Sequence, residues 1–300
     1  VVDPRPDLSG AGVDRYVRVT ADDVAGADLA SGVAWLHGAV AIEEVAGEGT
    51  TSELRIGAGP EGAPALAAVL CASGFDAAVV DAEHSVSDVF AAEGELLDVQ
   101  RVGHRLVLVP MVGGTSADAL PAAGFAEGGP ADDVVVQLDS AWAFGSGTHP
   151  TTRSCLERVE ALVAPGDRVL DVGTGTGVLA IAAARLGASA VVAIDIDPAA
   201  VAVAAANVAA NDVGDVVTVT GDPLDAVEGT FDVVVANVLA GVVVELAEHL
   251  VARLVARGVL VVSGILAERE PFVVEALAAV GLRTTHRIEA DGWVTLDLRG

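Results

Sequence analysis

The stretch DRVLDVGTGTGVLA, residues 167–180, constrains the fold more than any other part of the chain. Residues 169–172 are mostly apolar and suit a strand buried on both faces. Gly173, Gly175 and Gly177 follow and remove the side chains that would keep a ligand away from the backbone. Residues 178–186 lack Pro and Gly and are rich in Ala and Leu, so they continue as a helix, which Gly187 ends. A strand that feeds a glycine turn and a helix offers free N–H groups at the helix N-terminus.

The spacing of the turn narrows the ligand. A dinucleotide site requires G-x-G-x-x-G, but here the glycines are 173, 175 and 177, and Val178 stands where the third glycine of that pattern belongs. Asp171 precedes the turn, where a carboxylate repels a pyrophosphate but can accept a hydrogen bond from an ammonium. A second strand, 190–194, ends in Asp195, about 20 residues beyond the turn, where an acid is placed to bind ribose hydroxyls. An anion-averse turn with a ribose acid fits S-adenosylmethionine better than NAD. The alternative is a turn with only a packing role.

The rest of the C-terminal half alternates strand and helix: helix 198–210 opened by Asp197–Pro198, strand 216–219, strand 231–236 ending at Asn237, helix 242–256, strand 258–263, helix 269–280, then strands 283–288 and 293–298 around Asp291–Gly292. This predicts an α/β fold with a doubly wound, Rossmann-like, mostly parallel sheet and one antiparallel strand from the closing hairpin. Ligands bind at the C-terminal strand ends of such sheets, where Gly173, Asp195 and Asn237 fall. The Asn237 amide, donor and acceptor at once, could fix an incoming amine, or simply cap a turn. Asp222, after the third strand, could meet an adenine amino group.

Ahead of that unit lies AFGSGTHPTT, residues 143–152, a glycine–hydroxyl loop that leads into a helix. Thr151 or Thr152 is expected to cap the helix, and Cys155, Val159 and Leu162 share one side of it. His149 reads as a structural hydrogen-bonding residue rather than a base. Residues 1–13 read as a loose tail. A small α+β domain over 14–81 is expected from strand 15–20, helix 22–36 with Trp35 in its core, strand 39–45, strand 54–56 and a helix near 64–71. A connector, 82–138, carries a hairpin (96–100 and 105–109), a Gly/Ala/Pro-rich insertion at 113–130 and a strand at 132–138. The last domain is 139–300.

Composition excludes other classes. Cys71 and Cys155, the only cysteines, form neither a disulfide framework nor a metal set, and the six histidines lack zinc spacing. Both thiols are expected to be reduced and buried. No apolar run is long enough to span a bilayer, and no basic segment precedes an apolar one at the start. A cytoplasmic protein with no metal and no membrane partner is expected. The net charge is −27, and all 16 basic residues are arginine. Codon bias, a solvated acidic surface and attraction of a basic partner each account for this. Direct nucleic-acid binding, which needs a basic face, is not expected.

AFGSGTHPTT at 143–152, VLDVGTGTGVLAIAA at 169–183, AIDIDPAAV at 193–201, ANVLAG at 236–241 and SGIL at 263–266 resemble the ribosomal protein L-eleven (L11) methyltransferase family, PrmA type. Order and spacing match across roughly 139–300, and residues 16–45 look more weakly like that family's small substrate-recognition domain. The resemblance implies a class I, S-adenosylmethionine-dependent enzyme that methylates lysine side chains and the N-terminal amine of ribosomal protein L11. By position, Thr152, Gly173, Asp195 and Asn237 match the family's cofactor-binding residues. No catalytic residue is assigned. Ser146 replaces a usual Thr, the usually Trp-rich segment at 85–97 has only Phe90, and 113–130 looks inserted. Apart from Ser146, these departures fall in the connector. Alternatives are a class I methyltransferase acting on another protein, a small molecule or a nucleic-acid amine, an NAD-dependent oxidoreductase, and a non-catalytic binding module.

Overall fold

The computed structural model describes residues 15–21, 30, 33–34, 39–46, 52–58, 62–81, 99–110, 133–138 and 149–300. The expected tail, most of helix 22–36 with Trp35, the 85–97 segment, the 113–130 insertion and the 143–148 part of the loop lie outside these residues. The chain divides into two compact units, Val1–Gly94 and Glu95–Gly300.

In the first unit β1 (Arg15–Ala21), β2 (Ala39–Ala46), β3 (Ser52–Ala58) and β4 (Asp76–Asp81) form one sheet in the order β2-β3-β1-β4, antiparallel throughout. That order is the split β-α-β arrangement of ferredoxin-like domains. Strand alternation sends Val17 and Val19 into a core with Leu54 and Ile56, while Arg18 and Thr20 stay exposed. Helix α1 (Ala63–Ala72) adds Leu66 and Leu70 to this core. Its buried stripe is Ala63, Leu66, Ala67 and Leu70, so Cys71 falls outside it and is exposed, contrary to expectation; Cys155 is buried. Strand β4 was not expected: its short DAAVVD sequence carries little strand signal, because four of its positions are alanine or aspartate.

The second unit is built on a seven-stranded sheet. Its strands are β8 (Arg168–Val172), β9 (Ala190–Ile194), β10 (Val217–Thr220), β11 (Phe231–Asn237), β12 (Leu254–Leu266), β13 (Arg283–Ala290) and β14 (Trp293–Arg299), in the order β10-β9-β8-β11-β12-β14-β13. The first five are parallel to one another, and β14 runs antiparallel to both β12 and β13. One antiparallel strand in a mostly parallel doubly wound sheet is the expected architecture. Asp291 (φ 52°) and Gly292 (φ 80°) make the two-residue turn that reverses the chain into β14.

Helices cover both faces. On one, Leu156 and Val159 of α2 (Pro150–Leu162) and Ile181 of α3 (Val178–Arg185) pack over Val169, Val191 and Val235. On the other, Val243 and Leu250 join Val273 and Leu277 of α7 (Glu270–Ala279) over Leu170, Val234 and Leu260. Where one helix was expected at 242–256 there are two, α5 (Ala240–Glu245) and α6 (Ala247–Ala252), joined at Leu246. The buried stripe Ala240, Val243, Ala247 and Leu250 runs unbroken through the joint. Helical periodicity therefore reads as one helix although the backbone hydrogen bonding is interrupted.

Helix α4 (Pro198–Ala210) begins at Asp197, whose carboxylate accepts from the Ala199 amide at 2.9 Å, and ends at Asn211, as its flanking residues predict. A three-stranded sheet completes the unit: β5 (Gln100–Val102) antiparallel to β6 (Leu106–Pro110), which is parallel to β7 (Val134–Leu138). Its Val102, Leu106, Leu108 and Val136 share the core of α2 and α3. The buried Asn211 side chain fastens it: its Oδ1 accepts from the Gln137 amide at 2.9 Å and its Nδ2 donates to the Gln137 carbonyl at 2.7 Å. Among the described residues no helix is long and apolar enough to cross a membrane, and no three His, Cys, Asp or Glu side chains converge to hold a metal ion.

Candidate active site

The parallel strands β9, β8, β11 and β12 are neighbours in that order, so their C-terminal ends form one rim. Each contributes a residue there: Asp195 just after β9, Gly173 just after β8, Asn237 as the last residue of β11, and Ser263 of β12, which pairs with Asn237.

The glycine turn is bound tightly to β9. The amides of Gly173 and Thr174 both donate to the Ile194 carbonyl, at 2.9 and 3.0 Å, that of Gly177 to the Thr174 carbonyl at 2.9 Å, and that of Gly175 to Asp195 Oδ2 at 3.0 Å. These four N–H groups are not free, which corrects the expectation that the turn leaves its amides open, while the anion-averse reading of the turn stands. A turn whose amides are consumed internally has little to offer a pyrophosphate, in line with the departure from G-x-G-x-x-G. Gly173 has φ 72°, and a Cβ there would lie 2.5 Å from Val238 Cγ1, so conformation and contact both require glycine.

Asp195 is half-buried. Its Oδ2 accepts from Gly175 and its Oδ1 accepts from the Asp197 amide at 3.0 Å. Two backbone donors fix the carboxylate plane, and each oxygen keeps a lone pair for a ligand hydroxyl. The next residue, Ile196, is 71 % exposed, an unusual position for a large apolar side chain. Motif reasoning passes over it, although an isoleucine in the otherwise polar turn DIDP is a visible signal. Asp222 lies beyond β10, where its Oδ2 accepts from the Thr220 hydroxyl at 2.7 Å. The Thr220 carbonyl accepts from the Asp195 amide at 3.3 Å, so Asp222 is close in the chain to the same rim.

Asp171 sits one residue inside β8 and is 1 % exposed. Its Oδ2 accepts from the Thr174 hydroxyl at 2.6 Å, and its Oδ1 has no hydrogen-bond partner. Burial pushes its carboxyl up to about 7; the Thr174 hydroxyl and, more weakly, the Ala180 amide oppose this, and the nearby Asp195 charge adds to it. A buried carboxylate oxygen without a donor suits a ligand that brings one, and an ammonium does.

On the other side of the turn, Asn237 Nδ2 donates to Thr152 Oγ1 over a long 3.4 Å. Thr152 is buried in the first turn of α2. The cap of that helix is His149, not Thr151 or Thr152: its Nδ1 accepts from the Thr151 amide at 3.4 Å and lies 2.8 Å from Thr151 Oγ1. Pro150 explains the shift. The residue before a proline is pushed to extended backbone, and His149 has φ −63° and ψ 137°, so the non-helical cap position falls there. The His149 ring also meets Trp293 edge-on, with centroids 5.2 Å apart. Arg158 on α2 donates to the buried Asp297 of β14 through Nε at 3.1 Å and Nη2 at 2.6 Å, which anchors the helix that carries Thr152.

Thr152 thus meets Asn237, Gly173 meets the residue after Asn237, and Asp195 holds the turn that Gly173 begins. Four sequence-selected residues share one rim.

Comparison with known proteins points to one family. A family model described as ribosomal protein L11 methyltransferase (PrmA) matches residues 91–300. A ribosomal protein L11 methyltransferase of Geobacter sulfurreducens is 52 % identical over 150 residues, covering 50 % of this chain and 49 % of that protein. One of Pelobacter propionicus is 46 % identical over 206 residues, covering 66 % and 62 %. The chain therefore spans about half to three-fifths of the length of these relatives. The crystal structure of a ribosomal protein L11 methylase from Lactobacillus delbrueckii subsp. bulgaricus aligns with a TM-score of 0.58 at 31 % identity, over 67 % of this chain and 97 % of that one. The chain belongs to the ribosomal protein L11 methyltransferase (PrmA) family.

Proposed function

We propose that this protein transfers methyl groups from S-adenosylmethionine to lysine side-chain and N-terminal amines of ribosomal protein L11. The observation that carries the reading is the convergence of Gly173, Asp195 and Asn237 at adjacent parallel strand ends, with the Asp195 carboxylate fixed to the turn through Gly175. S-adenosylmethionine supplies a methyl group on a positively charged sulfur.

The chain's residues do the rest. Asp195 accepts the ribose hydroxyls with a carboxylate already oriented by two amides. Asp171 offers its unpartnered Oδ1 to the amino-acid ammonium. The acceptor must be a neutral amine, and a free lysine amine has its pKa near 10.4. Water exclusion around the rim lowers that value and frees the lone pair. Asn237, tethered to Thr152, accepts an amine N–H through its amide oxygen and points the lone pair along the transfer axis.

Residues 139–300 serve as the transfer domain and 14–81 as the substrate-recognition domain. The setting is the cytoplasm, and the net charge of −27 favours a basic protein partner over nucleic acid. Calorimetric titration with S-adenosylmethionine, with NAD as control, tests the cofactor assignment. Binding of the first alone is expected, weakened about 10- to 100-fold by Asp195→Ala through loss of charge-assisted hydrogen bonds. Binding of NAD, or equal affinity in the variant, would overturn the assignment.

A further inference from the structure

The strand order places β11 between β8 and β12, and the register sets the end of β11 beside the end of β8 and beside Ser263 of β12: Ala236 opposes Val172 on one side and Asn237 opposes Ser263 on the other. One residue further, each flanking strand has a glycine with left-handed backbone, Gly173 at φ 72° and Gly264 at φ 80°. The residue between them is Val238. A Cβ on Gly264 would fall onto the Val238 carbonyl oxygen, with the carbonyl carbon at 2.8 Å and the amide nitrogen at 3.2 Å. A Cβ on Gly173 would lie 2.5 Å from Val238 Cγ1. The Val238 amide also donates to the Ser263 carbonyl at 3.2 Å.

Two glycines therefore make room for one valine, in different ways. Gly264 admits the Val238 backbone, and Gly173 admits its side chain. Val238 is consequently a spacer. Its backbone is held against β12, and its γ-methyl reaches across to the turn that holds the cofactor. Its covalent neighbour, Asn237, is the residue that orients the acceptor.

We propose that Val238 is a positioning residue that sets the distance between the cofactor-binding turn and the acceptor-orienting amide of Asn237. The proposal rests on the methyl-transfer reading above. Removing the two γ-methyl groups leaves the cofactor's own contacts with Asp195 and Asp171 in place but lets the Asn237 segment shift. In-line transfer is sensitive to such a shift, since a displacement of about 1 Å costs about 100-fold in rate. A half-buried site also tolerates threonine, which keeps the branched shape.

The test measures S-adenosylmethionine affinity by calorimetry, and kcat and KM for L11 methylation, in wild type, Val238→Ala and Val238→Thr. The expected result is a cofactor Kd within about threefold of wild type in both variants, with kcat lowered about 10- to 100-fold in the alanine variant alone and KM for L11 unchanged. A second arm compares Gly173→Ala with the double variant Gly173→Ala/Val238→Ala. Removing Cγ1 should restore the part of the cofactor affinity that the single glycine substitution loses to the contact, and not the part lost to the left-handed backbone at φ 72°. Wild-type kcat in Val238→Ala, equal losses in alanine and threonine variants, or strictly additive effects at 173 and 238 would each overturn the proposal. Failure of the wild type to bind the cofactor would instead remove the reading on which it rests.

Discussion

Replacing Asp171 by asparagine should stabilise the protein increasingly as pH rises. The carboxyl is 1 % exposed, and burial raises its pKa from 3.8 to about 7. Because the folded value lies above the unfolded one, the wild type is most favoured below about pH 4, where both states are protonated. It loses stability as pH rises through 7. About three pH units of raised proton affinity correspond to about 4 kcal/mol, so the ionised, ligand-free site at pH 8 carries a penalty of about 4 kcal/mol, against about 2 kcal/mol at pH 5. Asparagine keeps an acceptor for the Thr174 hydroxyl and carries no charge. Its amide N–H groups at the Oδ1 position cost about 1–3 kcal/mol, but that cost does not vary with pH. The stability difference between variant and wild type should therefore grow by about 2–3 kcal/mol from pH 5 to pH 8 and level off above pH 7. Urea unfolding of the full chain, repeated at successive pH values across that range, reads this directly. A difference that stays constant would refute the account of Asp171 as a buried group forced to ionise.

Other consequences are independent of that one. Asp297→Ala leaves the Arg158 guanidinium without its buried partner and should cost about 3–5 kcal/mol in unfolding free energy, measured by denaturant titration. His149→Ala removes the cap of α2 and should cost about 1 kcal/mol, read as a lowered Tm. If the net charge of −27 steers a basic protein partner to the enzyme, kcat/KM for L11 should fall steeply between about 50 and about 300 mM salt; a salt-independent value would remove the steering idea.

The fold was legible wherever local chemistry and tertiary demand coincide. The run 169–187, with its strand, glycine turn, helix and stop, and the Asp197–Pro198 helix start are written in residues whose conformational preferences act alone. Elsewhere a neighbour decides. Pro150 moves the cap of α2 to His149, which no capping preference of histidine announces. The break at Leu246 is invisible because the apolar stripe continues through it. Strand β4 owes its form to pairing with β1 rather than to its alanines. Within the site, Gly173, Asp195, Thr152 and Asn237 could be chosen from motif positions. The engagement of the turn amides by Ile194, the unpartnered Asp171 oxygen and the wedge formed by Val238 could not, since each depends on where a second strand ends.

The most direct test of the central claim is methyl transfer from labelled S-adenosylmethionine to purified ribosomal protein L11, with Asp195→Ala as control and mass spectrometry to locate the label. The predicted result is label on lysine side chains or the N-terminal amine of L11, greatly reduced in the control at the same cofactor concentration. Absence of transfer by a wild-type protein that binds the cofactor would contradict the assignment of L11 as substrate.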